Sequence, residues 1–178
     1  MRLLLVAMAL LLIACGPAPS PSPVGAAEPV IAFDEQGQFR LELEFPKATY
    51  TAGEEIEAVA RLRFAGPGAI EVAGPAGGLI NFSLDEVDGP RNAGFAQDAA
   101  CAAYGIDATE PYTTGLKKSG ATFTGDPNRA FMEAFWDDPV YRLPPGTWDI
   151  SASSSFVGKG CNPPTTELSA SVRIVVTD

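Results

Sequence analysis

From about Ile31 onward, apolar and polar residues alternate in short runs. Phe39, Leu41 and Leu43 interleave with Arg40, Glu42 and Glu44, and Ile56, Ala58, Ala60, Leu62 and Phe64 follow with mostly charged partners. That two-residue period is the mark of a strand with one face buried. Further strands are expected from Ile70 to Ala73, Leu79 to Val87, Trp148 to Phe156 and Glu167 to Val176, with Leu168, Ala170, Val172, Ile174 and Val176 on one face of the last. The helical period occurs once. After Asp126, a capping residue, Pro127 suits a first turn, Phe131 and Phe135 fall on one helix face, and Pro139 ends the run. This helix is expected to lie across one end of the sheets with its aromatic face inward. The stretch from Asp88 to Gly125 shows neither period and reads as a long irregular segment rich in small residues.

Short strands punctuated by Ala65-Gly66-Pro67-Gly68 and Leu143-Pro144-Pro145-Gly146 point to an antiparallel two-sheet sandwich. Composition agrees. The 16 Pro and 18 Gly in 178 residues disfavour a helical bundle, while 46% hydrophobic residues suffice for the core of one domain. Tyr50-Thr51-Ala52-Gly53-Glu54-Glu55-Ile56, leading into an alternating strand, resembles the early strand of bacterial immunoglobulin-like domains. Leu143 to Ala152 is similar to the proline-glycine turn and penultimate strand of many of them, and inhibitor-like domains of the BsuPI type share the layout. The resemblance implies an all-β, immunoglobulin-like antiparallel β-sandwich over residues 31–178 with one short inserted helix, and a fold specifies no activity.

The N-terminal residues carry a different signal. Arg2 is followed by an apolar run from Leu3 to Ala14 that is too short for a membrane-spanning helix, which needs about 20 residues. Residues 1–14 therefore read as a signal peptide. Leu12-Ile13-Ala14-Cys15 resembles the lipobox of bacterial lipoproteins. The resemblance implies cleavage before Cys15, acylation of that residue (a diacylglycerol thioether, with palmitate-type chains) and attachment to the cell membrane or outer membrane on its extracytoplasmic side. Several chains at about 0.8 kcal/mol per buried methylene make such attachment essentially permanent. Residues 15–30 follow as a tether, with proline at alternate positions from Pro17 to Pro23, an extended spacer of roughly 40 Å at about 3.1 Å per residue.

The formal net charge is -10, and no basic run occurs, which disfavours nucleic acid as a partner. Once Cys15 is assigned to lipid, Cys101 and Cys161 remain, and an exported pair of thiols is most simply a disulfide. Closing that loop of roughly sixty residues would stabilise the fold by about 4 kcal/mol on the chain-entropy estimate. The chain has no histidine, which removes the commonest general base, the usual serine triad and histidine-based metal sites. Neither a Ser-x-x-Lys pair nor a phosphate-binding glycine loop is present. No cofactor is implied. Asp137 and Asp138 read as a solvated helix end, and Asp85, Glu86 and Asp88, like Asp107 and Glu110, as acidic turns in which calcium is the lesser alternative.

These observations point to a non-enzymatic binding domain. Trp136, Tyr141, Tyr104 and Tyr112 are the candidate binding residues, because aromatic rings offer flat apolar area with a polar edge to peptides or sugars. The expected ligand is an envelope protein or polysaccharide. The alternatives are an inhibitor of envelope proteases, which the BsuPI resemblance suggests, and a glycan hydrolase using two carboxylates about 5 to 10 Å apart.

Overall fold

The computed structural model describes residues 28–96, 100–120, 125–158 and 165–178. One sheet consists of β1 (Val30–Gln36), β2 (Phe39–Phe45), β4 (Val59–Phe64) and β9 (Tyr112–Gly115), paired antiparallel in that spatial order. A second contains β3 (Thr49–Thr51), β11 (Thr166–Thr177), β10 (Gly146–Phe156), β6 (Ile80–Glu86) and β7 (Asn92–Ala93), again in spatial order. A third element, the two-stranded ribbon of β5 (Ala69–Pro75) and β8 (Cys101–Asp107), joins the second sheet through a bridge between Ala73 and Val157. The helix α1 spans Arg129–Asp137.

The alternation read from the sequence becomes the interior. On β10 the buried residues are Trp148, Ile150, Ala152, Ser154 and Phe156, and on β11 they are Leu168, Ala170, Val172, Ile174 and Val176. Leu41, Leu43 and Phe45 of β2 and Ala60, Leu62 and Phe64 of β4 close the core from the opposite sheet. This is an all-β sandwich with one short helix, compatible with an immunoglobulin-like arrangement. One pairing departs from the antiparallel expectation: β3 runs parallel to the end of β11, with Tyr50 opposite Val176. A three-residue strand can do so because the chain crosses from one sheet to the other after β2, and Ala52 N–H donating to Thr177 O at 2.7 Å holds the crossing. At the β1–β2 hairpin, Gly37 adopts φ +62°, which only glycine takes without strain.

The expected irregular stretch from Asp88 to Gly125 holds β7, β8 and β9 in addition to loops. Their sequences alternate weakly because Ala, Gly and Thr occupy most positions, and each is stabilised by the partner strand it pairs with. The strand β1 also went unread, since its two exposed apolar residues, Ile31 and Phe33, blur its alternation.

The helix forms close to where expected. The Asp126 carboxylate accepts the Asn128 N–H at 2.8 Å, and the Asp126 carbonyl accepts Arg129 N–H at 3.1 Å, so Asp126 shapes the entry turn and the cap position proper is Asn128. Met132 and Phe135 are buried. Phe131 stacks on the Trp148 ring at 5.6 Å and on Phe135 at 5.9 Å. The helix stops at Asp137, with extended Asp138 and then Pro139.

Trp148 binds these parts together. It is fully buried, its Nε1–H donates to Pro144 O at 3.1 Å, and the Arg91 guanidinium lies over the ring at 4.9 Å. Arg91 in turn bonds Glu86 through Nε at 2.8 Å and donates to Pro145 O at 3.0 Å, which pins the β6–β7 turn to the start of β10.

Two outcomes follow from this packing. Trp148→Ala is expected to lower the unfolding free energy by about 3 to 5 kcal/mol, read as a fall in the urea midpoint. The hydrogen bonds from Arg91 outweigh desolvation and hold the Glu86 carboxyl below its ordinary range. A pKa lower in the folded than in the unfolded chain contributes stability that is present at neutral pH and lost as pH falls through the folded value. Unfolding titrations below about pH 4 should therefore show a flatter acid loss for Glu86→Gln than for the parent.

Candidate functional site

The segment Glu55 to Ala58 continues the alternation ahead of β4, but its backbone turns outward to meet the chain leaving α1. Ile56 N–H donates to Tyr141 O at 2.8 Å, and Leu116 N–H, just past β9, donates to Ala58 O at 2.8 Å. The crease between these three segments is a groove of about 690 Å³, lined among others by Glu55, Glu57, Lys117, Lys118, Trp136 and Tyr141.

Lys118 organises one wall. Its Nζ donates to Phe135 O, and to Asp138 O at 2.7 Å, with the ammonium 4.2 Å from the Phe135 ring centroid. The last carbonyls of α1 are therefore bonded by a cation from a different part of the chain, while α1 itself carries no basic residue in its last turn. Burial holds the Lys118 ammonium below its ordinary pKa, partly offset by the nearby Asp138. The Asp138 carboxylate accepts Val140 N–H at 2.8 Å and both oxygens face Arg142 Nη1, at 3.1 and 3.2 Å; the Val140 bond is the main cause of its lowered pKa.

Lys117 Nζ donates to Gly77 O at 3.2 Å. Glu55 and Glu57 have no ion pair or hydrogen bond from their carboxylates among the described residues. The groove thus offers an indole, two anionic acceptors and two ammonium groups already engaged at their base.

The four candidate aromatic residues fall into two pairs. Trp136 and Tyr141 line the groove. Trp136 is half-buried, its indole lies against Gly120, where no Cβ could be placed without displacing the ring, and its Nε1 is buried without a partner among the described residues. Tyr141 is 8% exposed, its ring edge-to-face with Phe135 at 5.0 Å, and burial pushes its phenol pKa up. Tyr104 and Tyr112 sit together elsewhere, edge-to-face at 5.8 Å. Tyr104 Oη donates to Pro75 O at 2.6 Å and Tyr112 Oη accepts Leu79 N–H at 3.3 Å, so this pair clamps the β5–β8 ribbon and the start of β6.

The groove lysines and glutamates were not singled out by the sequence. Lys117-Lys118 is the one adjacent pair of cations in the chain, the signal that could have marked them. Among the described residues no group of three or more Cys, Asp or Glu side chains could hold a metal ion. Glu86 is bound to Arg91, and the Asp107 carboxylate accepts the Thr109 hydroxyl and N–H at 2.6 and 2.7 Å. Cys101, at the start of β8, is disulfide-bonded. Cys15, Cys161 and the expected signal and tether segments up to residue 27 lie outside the described residues.

Lys118→Ala is expected to leave the terminal carbonyls of α1 without their charged donor and to destabilise the fold by about 1 to 2 kcal/mol, measured by thermal unfolding. Lys118→Arg, which keeps charge and reach, should recover most of the loss. No family of known proteins matches the chain, and neither a curated protein nor a solved structure matches it.

Proposed function

We propose that this protein is a lipid-anchored cell-envelope lipoprotein whose sandwich domain binds a ligand without transforming it, and that the ligand, a segment of envelope polysaccharide, lies in the groove beside α1. The observation that carries the ligand reading is the groove itself, lined by Trp136 and by Glu55 and Glu57, whose carboxylates have no partner among the described residues. An indole face stacks on the apolar face of a sugar ring, carboxylates accept its hydroxyls, and α1 and the segment leading into β4 hold these groups in place. Asp138, the other acid in the groove, is held in its ionised form by Val140 N–H and Arg142, which suits a positioning charge better than a proton donor.

Support for the anchor comes from the leader. The apolar run to Ala14, Cys15 and the proline-rich segment after it form one continuous export and tethering signal. The Cys101–Cys161 pairing belongs to the same reading, since a disulfide suits an oxidising compartment. Among the described residues no helix is long and apolar enough to cross a membrane, and acyl chains on Cys15 would supply the attachment.

Two measurements test the proposal. Expressed in a bacterial host fed radiolabelled palmitate, the full chain should take up label and partition into the detergent phase, and Cys15→Ser should do neither; equal labelling of the variant overturns the anchor. In calorimetric titrations with fragments of cell-wall and capsular glycans, Trp136→Ala and Glu57→Gln should each weaken binding at least tenfold, about 1.4 kcal/mol or more. Unchanged affinity in both variants, or no binding of any glycan fragment, removes the groove from the proposal.

A further inference from the structure

The ribbon of β5 and β8 has one side that its own backbone leaves unused. Ala108 N–H donates to Gly68 O at 2.9 Å and Ala76 N–H to Ala100 O at 2.8 Å, which sets the register of the whole pairing. Even-numbered residues of β8 consequently turn their backbone groups toward β5, while Ala103, Gly105 and Asp107 turn theirs away. Among the described residues these three N–H and C=O groups meet no partner, all three residues are exposed, and nothing lies within 4 Å of where a Gly105 Cβ would stand.

Several of the other sheet edges are protected in recognisable ways, and β9, also an edge strand, is only four residues long. The strands β3 and β7 have three and two residues. The strand β1 lies along β11, to which it is tied by Asp34 accepting Ser169 N–H at 2.9 Å and Gln36 accepting Glu167 N–H at 2.8 Å. The outer side of β5 is occupied at Ala73 by Val157 and interrupted by Pro75. In contrast, β8 runs for seven residues without lysine, proline or bulge.

We propose that this edge of β8 docks an extended, basic peptide segment of a partner protein, which adds to the ribbon as a third strand. Main-chain hydrogen bonds would provide the affinity, as in other strand additions. Charge selects the occupant. The exposed face of the ribbon carries Glu71, opposite Gly105, and Asp107, with no cation in either strand, on a chain of net charge -10. Lysine or arginine at alternate positions of the incoming strand complements these acids, whereas a second copy would set acid against acid. The edge is separate from the groove residues, so this inference stands apart from the glycan reading.

Hydrogen exchange followed by NMR on the full chain provides the first test. The amides of Ala103, Gly105 and Asp107 should exchange at least a hundredfold faster than those of Ala102, Tyr104 and Ile106; slow exchange at all six overturns the proposal. The second test titrates an acetylated, amidated heptapeptide of alternating lysine and valine against its glutamate counterpart. The lysine peptide should protect the three outward amides, and Gly105→Pro, which removes an outward N–H but no bond to β5, should weaken it at least tenfold with the circular dichroism spectrum unchanged. Ala103→Pro replaces it if that variant does not fold, and Glu71→Gln should weaken the lysine peptide alone. Equal binding of the glutamate peptide, or full affinity in the proline variants, overturns the proposal. So does protection that rises with protein concentration alone alongside a sedimenting dimer, which would make a second copy the occupant.

Discussion

The burial of Trp148 under Arg91 and Phe131 is the contact on which the arrangement of this domain depends. The two long strands β10 and β11 supply a continuous apolar face, but a face alone leaves the ends of a sandwich open. Trp148, fully buried at the start of β10, closes one end by accepting the Phe131 ring from the helix and the Arg91 guanidinium from the β6–β7 turn. Because Arg91 also bonds Glu86 and Pro145 O, displacement of the indole would loosen a turn, a helix and a strand together.

Placement of the helix has consequences for the groove. Once Phe131 and Phe135 are seated, the C-terminus of α1 points at Lys118, and the lysine satisfies carbonyls that would otherwise face a partly buried wall. Trp136 is then held at the groove by its position one residue beyond the buried Phe135. The surface that would contact a ligand is thus a by-product of how the helix is fastened.

Much of the scaffold was readable in one dimension. Leu168, Ala170, Val172, Ile174 and Val176 alternate without interruption, and all five are buried. Phe131 and Phe135, bounded by Asp126 and Pro139, located the helix to within about three residues. The strands β8 and β9 were not readable, since Ala103, Gly105, Thr113 and Thr114 carry little apolar signal and their pairing is imposed by β5 and β4. Of the four aromatic residues singled out, Trp136 and Tyr141 share the groove, whereas Tyr104 and Tyr112 pair with each other to clamp the ribbon. Ring type was legible, but ring neighbourhood was not.

What the sequence determined by itself was local: the period of the strands, the start and stop of one helix, and an acidic, histidine-free composition. Those properties follow from interactions within a few residues, or from none at all, so they survive projection onto a line. Tertiary structure alone decided that Lys118 would serve the end of α1, that Glu55 and Glu57 would line one groove with Trp136, and that the outward amides of β8 would have no partner among the described residues. Each of these depends on which segments distant in the chain come together, which strand register and core packing set and no local pattern encodes.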